Sequence, residues 1–146
     1  MTLIHERVAL ARRGDNPCVV CSMRSGWVVL GDIQNQRGYC VLLADPIVGS
    51  INDLTEAARI SFSTDMWAIG DALLHVTDAF RINYSVLGNK DAALHAHIIS
   101  TLGTKTSPLR HVARSYLRIS RIQFRLTLAE MPRSWMLYVS TSNPEG

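Results

Sequence analysis

Apolar and polar residues follow one another along this chain with the spacings of both strands and helices. Trp27–Asp32 and Tyr39–Ala44 are short apolar runs on either side of a polar turn, and we expect them to pair as an antiparallel hairpin. Phe80–Leu87 and Ala93–Ile99 form a second pair of predicted strands around the turn Gly88–Asp91. The pattern therefore predicts an antiparallel sheet.

Two segments carry the spacing of helices. Residues 1–13 predict a short helix that Gly14–Pro17 ends. A long helix is predicted from Asn52, as its N-cap, to about Phe80. Its buried face comprises apolar residues spaced by three or four: Ala58, Phe62, Met66, Ile69, Leu73 and Val76. The order of elements favours an α+β fold in which one long helix packs on an antiparallel sheet.

The last predicted strand carries two histidines, His95 and His97, in the run Leu94–Ile99. Side chains alternate along a strand, so both imidazoles lie on one face and Leu94, Ala96 and Ile98 on the other. A neutral imidazole is a good nucleophile near pH 7, and a second one beside it can donate a hydrogen bond to charge on a phosphate. The alternative is a pair of histidines on a solvated face.

The C-terminal third of the chain is basic. Residues 1–100 have a net charge of −2, from eight Lys+Arg and ten Asp+Glu, whereas residues 101–146 have a net charge of +5, from seven and two. Five arginines recur at spacings that would align them on one helix face: Arg110, Arg114, Arg118, Arg121 and Arg125. This basic helical or irregular segment is either a solvated face or a surface that binds nucleic acid or another acidic partner.

Length and composition favour one globular domain, residues 1–146. Charged residues interrupt the N-terminal segment before it reaches the length of a signal peptide, and no stretch approaches the ~20 apolar residues of a membrane helix. Three cysteines, an odd number, suit a reducing compartment. We therefore expect a cytoplasmic protein without a membrane partner.

Cys18 and Cys21 have the spacing of a metal clip, but a structural zinc site normally needs four ligands. No second Cys-x-x-Cys is present in the sequence. The two residues are therefore weak metal candidates, and two partly buried thiols are the alternative interpretation.

Several motifs, taken together in their order, resemble the histidine triad (HIT) family of nucleotide hydrolases and transferases, most closely its bacterial diadenosine-polyphosphate-hydrolase-type branch. The resemblance spans about Pro17 to Ser100 and leaves residues 101–146 unassigned. Its motifs are Cys18-x-x-Cys21, Leu30-Gly-Asp-Ile-Gln34, Gly38-Tyr-Cys-Val-Leu-Leu43, Arg81-Ile-Asn-Tyr84, Leu87-Gly-Asn89 and Leu94-His-Ala-His-Ile-Ile99. The resemblance implies a homodimer whose sheets continue across the interface.

The resemblance also implies roles for individual residues. His95 matches the nucleophile that attacks the α-phosphate, and His97 matches the histidine that contacts phosphate and assists the leaving group. Asp32 matches the residue that binds the ribose hydroxyls. Asn89 matches a polar residue that touches phosphate or the attacking water, and Asn83, within a matched motif, is a further candidate for substrate binding.

The chain departs from the family motif at its first histidine, which is replaced by Ala93. That histidine helps to hold the nucleophilic ring by hydrogen bonding in the family, which we do not expect of Ala93. In zinc-bearing relatives it is also a metal ligand, partnered by another histidine after the second hairpin strand, where this chain has Ala44–Val48. We therefore expect neither zinc nor another cofactor.

These observations predict an enzyme that hydrolyses nucleotidyl phosphoanhydrides or phosphoramidates through a nucleotidyl-histidine intermediate on His95. Because Ala93 replaces an orienting residue, a catalytically impaired nucleotide-binding module is an alternative. A binder of nucleic acid or of another acidic partner, acting through the stripe Arg110–Arg125, is a further alternative.

Overall fold

The computed structural model describes residues 1–34 and 36–103. The elements are α1 (Leu3–Arg12), β1 (Val19–Met23), β2 (Gly26–Leu30), β3 (Cys40–Ala44), a 3₁₀ turn (Ile51–Asp53), α2 (Glu56–Val76), β4 (Ala79–Ser85) and β5 (His95–Leu102). The strands form one antiparallel sheet in the order β1-β2-β3-β5-β4. The α+β fold expected from the sequence is thus confirmed. The predicted basic segment and its arginine stripe lie outside the described residues.

Both faces of the sheet are covered, each by a different helix. Alternate residues of the strands, among them Val28, Leu42 and Ala96, pack with α2 residues such as Phe62 and Ile69 in the larger core. The residues between them point the other way and form a smaller core with α1, through Ile4, Val8, Val29, Val41, Leu43 and Ala93. The two histidines of β5 belong to this second face, because they pair with Leu43 and Val41.

Helix α2 differs from its prediction at both ends. Its N-cap is Thr55, whose hydroxyl accepts a hydrogen bond from the Ala58 amide at 3.3 Å; the predicted N-cap, Asn52, lies in the preceding 3₁₀ turn. The helix ends at Val76, not near Phe80, because the backbone of Thr77 is extended, with φ = −128° and ψ = 169°. Within the described part of the chain, no helix is long and apolar enough to cross a membrane.

One strand was not predicted. Val19–Met23 forms β1 and pairs with β2 through an irregular register near Cys21. The sequence did not predict this strand, because the segment has only three consecutive apolar positions. The short N-terminal helix, in contrast, is confirmed as α1.

Helix α1 covers the position at which the family motif has its first histidine. Ala93 is 1% exposed and packs in the core that contains Ile4 and Val8 of α1. The Ile4 amide donates to Asp91 Oδ2 at 3.1 Å, which ties the start of α1 to the loop before β5. A small side chain at position 93 therefore allows the helix to dock against the sheet.

This packing predicts that Ala93→His destabilises the protein. An imidazole cannot enter the filled space without displacing α1, and such overpacking costs about 1–3 kcal/mol. The free energy of unfolding, measured by urea denaturation, should fall by this amount. Ala92→His is the matched control, because Ala92 is exposed and its replacement should change stability little. Equal stability of Ala93→His and the parent protein would contradict the packing.

Candidate active site

Strand β5 places His95 and His97 side by side on the face that α1 covers. The ring centroids are 4.9 Å apart, and the ring planes meet at 80°. His95 is 8% exposed, whereas His97 is partly exposed. The two imidazoles are therefore neighbours in different surroundings, and their hydrogen bonds distinguish them further.

The ring of His95 is held by the backbone of its own strand. Its Nδ1 lies 2.7 Å from the carbonyl oxygen of Ala93. A carbonyl oxygen only accepts hydrogen bonds, so this contact places a proton on Nδ1 and leaves the lone pair on Nε2. The expectation that Ala93 cannot hold this ring is wrong, since the backbone carbonyl makes the contact and needs no side chain.

The ring of His97 is held from the opposite side of the hairpin, by Tyr39. The tyrosine hydroxyl lies 2.5 Å from Nδ1 of His97, and the two rings are stacked with centroids 5.9 Å apart. Burial, and then the nearby His95, lower the pKa of His97, while burial and then the charge of Asp32 raise the pKa of Tyr39. The phenol therefore keeps its proton. When its hydroxyl donates to Nδ1, the single proton of neutral His97 lies on Nε2.

The loop between β2 and β3 is built to place Tyr39 here. Gly38 has φ = 83°, a conformation that suits glycine, and it precedes Tyr39 directly. Gln34 closes the loop by donating to the carbonyls of Gly31 and Tyr39 at 2.9 and 2.8 Å. A Cβ atom at Gly31 would lie 2.2 Å from Cδ1 of Tyr39, so the glycine leaves room for the ring.

Asp32, the predicted ribose ligand, lies in the same loop and forms an ion pair with Arg7 of α1. The carboxylate is mostly open to solvent, with 58% of its side chain exposed. The charges of both residues act on Tyr39, which places the pair next to the tyrosine that contacts His97. The structure therefore brings Asp32 to the edge of the histidine site.

The two asparagines predicted to bind substrate are farther from the imidazoles. Asn83 lies on β4 opposite Ile99 and so shares the histidine face, but its amide donates to Thr101 Oγ1 at 2.8 Å. Asn89 is exposed in the loop between β4 and β5. Among the described residues, neither asparagine is hydrogen-bonded to a histidine.

Cys18 and Cys21 pack on opposite faces of the sheet. Cys18 contacts the core under α1, whereas Cys21 contacts the core under α2. Two thiols on opposite faces do not form a clip for one ion. In residues 1–34 and 36–103, no group of three or more His, Cys, Asp and Glu side chains is arranged to hold a metal ion.

Sequence reasoning missed three residues at this site: Arg7, Tyr39 and Asp91. Burial alone would raise the pKa of Asp91, but hydrogen bonds from the Thr2 hydroxyl and the Ile4 amide, with the charges of His95 and His5, lower it. Arg7 and Asp91 act across more than 20 positions of sequence, and no local pattern shows such contacts. Tyr39 lies inside the motif Gly38-Tyr-Cys-Val-Leu-Leu43. A polar aromatic residue in that motif was the signal that could have identified it as a site residue.

Comparison with solved structures identifies the fold. The structure is similar to a histidine triad protein from Marinobacter aquaeolei VT8, with 16% identity over 90% of this chain and 99% of that one and a TM-score of 0.60. A histidine triad protein from Bradyrhizobium japonicum gives 18% identity over 81% and 95%, with a TM-score of 0.60. One from Sinorhizobium meliloti 1021 gives 21% identity over 67% and 73%, with a TM-score of 0.52.

No protein-family model matches the sequence, and a search of curated proteins finds no match. At these identities the solved structures establish that the chain has the histidine triad fold. Chemistry at the site therefore has to be argued from its own residues.

The contact between Tyr39 and His97 predicts the effect of Tyr39→Phe. The phenol stabilises the neutral ring by donating to Nδ1, so its removal should raise the pKa of His97 towards the ordinary value of about 6.5. An NMR titration of the His97 ring protons measures this change. Tyr84→Phe is the control, because the Tyr84 ring lies on the α2 face against Gly70. An unchanged His97 pKa in Tyr39→Phe would show that the phenol does not donate to that ring.

Proposed function

We propose that this protein is a nucleotide hydrolase of the histidine triad type, cleaving nucleotidyl phosphoanhydrides or phosphoramidates through a covalent intermediate on His95. The observation that carries the proposal is that two adjacent rings have different partners at Nδ1, a backbone carbonyl for His95 and a phenol for His97. The Ala93 carbonyl places the proton of His95 on Nδ1 and its lone pair on Nε2, and a Tyr39 hydroxyl that donates to Nδ1 of His97 gives that ring a proton on Nε2. One ring can thus attack phosphorus while its neighbour donates a hydrogen bond to the developing charge.

In the first step, Nε2 of His95 forms a bond to the α-phosphorus as the bond to the leaving group breaks. The attacking ring gains positive charge, and the Ala93 carbonyl on Nδ1 stabilises that charge. His97 donates a hydrogen bond from Nε2 to the leaving-group oxygen or nitrogen and keeps its proton. A phosphate leaving group departs as an anion, and an amine leaving group takes its proton from water. In the second step, water attacks phosphorus and releases a proton to solvent. The P–N bond breaks, its electron pair returns to Nε2 of His95, and a nucleoside monophosphate leaves.

Other residues of the site would bind the rest of the substrate. We propose that Asp32 accepts hydrogen bonds from the ribose hydroxyls, because its carboxylate is open to solvent at the edge of the site. Asn89, in the exposed loop before β5, would contact a phosphate or the attacking water when substrate is bound. Asn83 is proposed as a more distant contact on the same sheet face.

The test is hydrolysis of adenosine 5′-phosphoramidate and of a diadenosine polyphosphate by the parent protein and His95→Ala. Loss of the nucleophile should lower kcat by at least about 10³-fold. His75→Ala is the matched control, since His75 is exposed on α2 and its loss should leave the rate unchanged. Equal rates in the parent protein and His95→Ala would refute the catalytic proposal. Nucleotide binding by the parent protein without any product would favour the binding module instead.

We further propose that the protein is a homodimer joined along β4. Within residues 1–34 and 36–103 this strand is an edge of the sheet, and unpaired strand edges are usually covered. Phe80 on this strand is 62% exposed, which adds an apolar group to the open edge.

Light scattering after size exclusion should give twice the chain mass for the parent protein. Phe80→Lys should lower the measured mass towards that of the monomer, because it places a charge in the proposed β4 interface. Leu3→Lys, which places the same charge at an exposed position of α1, should remain dimeric. A monomeric parent protein would overturn this arrangement.

A further inference from the structure

The ion pair between Arg7 and Asp32 joins α1 to the loop after β2 at the edge of the histidine site. The two side chains differ in exposure: that of Arg7 is 21% exposed and that of Asp32 is 58% exposed. Arg7 is also fixed through its backbone, because its carbonyl accepts a hydrogen bond from Asn16 Nδ2 at 3.2 Å. The mostly buried guanidinium of Arg7 thus forms an ion pair with the carboxylate of Asp32, which faces solvent.

Tyr39 connects the ion pair to the histidines. Asp32 raises the pKa of the Tyr39 hydroxyl and Arg7 lowers it, in addition to the larger effect of burial. The same hydroxyl contacts Nδ1 of His97. The pair therefore lies next to the tyrosine that contacts His97.

We propose that Arg7 is a positioning residue that makes this pair selective for the cis-diol of a ribose, a role that rests on the proposed function. Arg7 Nη2 engages Oδ2 of Asp32, which leaves Oδ1 to accept from a ligand. The guanidinium has further N–H donors beside it. A vicinal diol offers both O–H donors and oxygen acceptors, so the fixed pair matches both hydroxyls of a ribonucleoside.

Arg7 also sets the charge of this edge. An isolated carboxylate near the histidines would repel the negatively charged phosphates of a nucleotide. The guanidinium compensates this charge without closing the carboxylate to solvent, as the exposure of Asp32 shows. The ion pair can therefore bind the neutral ribose diol of a nucleotide without repelling its negatively charged phosphates.

The experiment compares adenosine 5′-phosphoramidate with its 2′-deoxyadenosine analogue as substrates. For the parent protein, kcat/KM should favour the ribonucleotide by about tenfold, the effect of one hydrogen bond to a charged group. Arg7→Ala should bring this ratio close to one, mainly by raising KM for the ribonucleotide. Arg7→Lys should give an intermediate ratio, because lysine keeps the charge without the planar fork.

Arg12→Ala is the matched control, since Arg12 ties the same helix to Asp45 and does not contact Asp32. It should keep the full preference for ribose. An equal loss of preference in Arg12→Ala would mean that loosening α1 is the cause, and it would overturn the role of Arg7. Should Arg7→Ala fail to fold, Arg7→Gln replaces it with the same expected ratio.

The outcomes separate this inference from the proposed function. Hydrolysis that depends on His95, with the same ribose preference in the parent protein and Arg7→Ala, overturns the role of Arg7 alone. A parent protein that hydrolyses neither substrate overturns both proposals. In an Asp32→Asn background, Arg7→Ala should cause no further loss of preference, and an additional loss would show that Arg7 acts independently of Asp32.

Discussion

The hydrogen bond from Nδ1 of His95 to the carbonyl oxygen of Ala93 is the contact on which the site depends. It fixes the ring of the proposed nucleophile and decides which nitrogen bears the lone pair. Because the acceptor is a backbone atom, the contact survives the replacement of the motif's first histidine. What matters for this ring is the path of the strand, and the side chain at position 93 is free to serve packing.

Packing at position 93 explains how α1 comes to take part in the site. The alanine lets Ile4 and Val8 lie against the sheet, and the docked helix then carries Arg7 to Asp32. On the other side, the β2–β3 loop brings Tyr39 to His97. Helix α1 and the β2–β3 loop, which are distant from β5 in sequence, thus add Arg7, Asp32 and Tyr39 to the two histidines of that strand.

The sequence was sufficient for features that depend on local periodicity. The hairpin of β2 and β3, the buried face of α2 around Phe62 and Ile69, and the shared face of His95 and His97 were all predicted and are confirmed. Helix ends were less predictable, because Thr55 and Asn52 are both acceptable caps, and the 3₁₀ turn that contains Asn52 precedes the helix that Thr55 caps.

The contacts that give the site its chemistry could not be predicted. Arg7 with Asp32 and Tyr39 with His97 join residues 25 and 58 positions apart, and such contacts follow from how helix and loops fold over the sheet. The role of Ala93 was misjudged for a related reason, since a residue's identity says nothing about where its carbonyl points. Backbone hydrogen bonds to side chains become visible only in the folded structure.

The central claim is that His95 and His97 are neutral tautomers of opposite kind. Long-range ¹H–¹⁵N NMR of the imidazole nitrogens at pH 7.5 or above measures this directly, because protonated and unprotonated ring nitrogens have well-separated shifts. We predict a protonated Nδ1 with a bare Nε2 for His95, and a bare Nδ1 with a protonated Nε2 for His97. The same tautomer in both rings, or a proton on Nε2 of His95, would contradict the account.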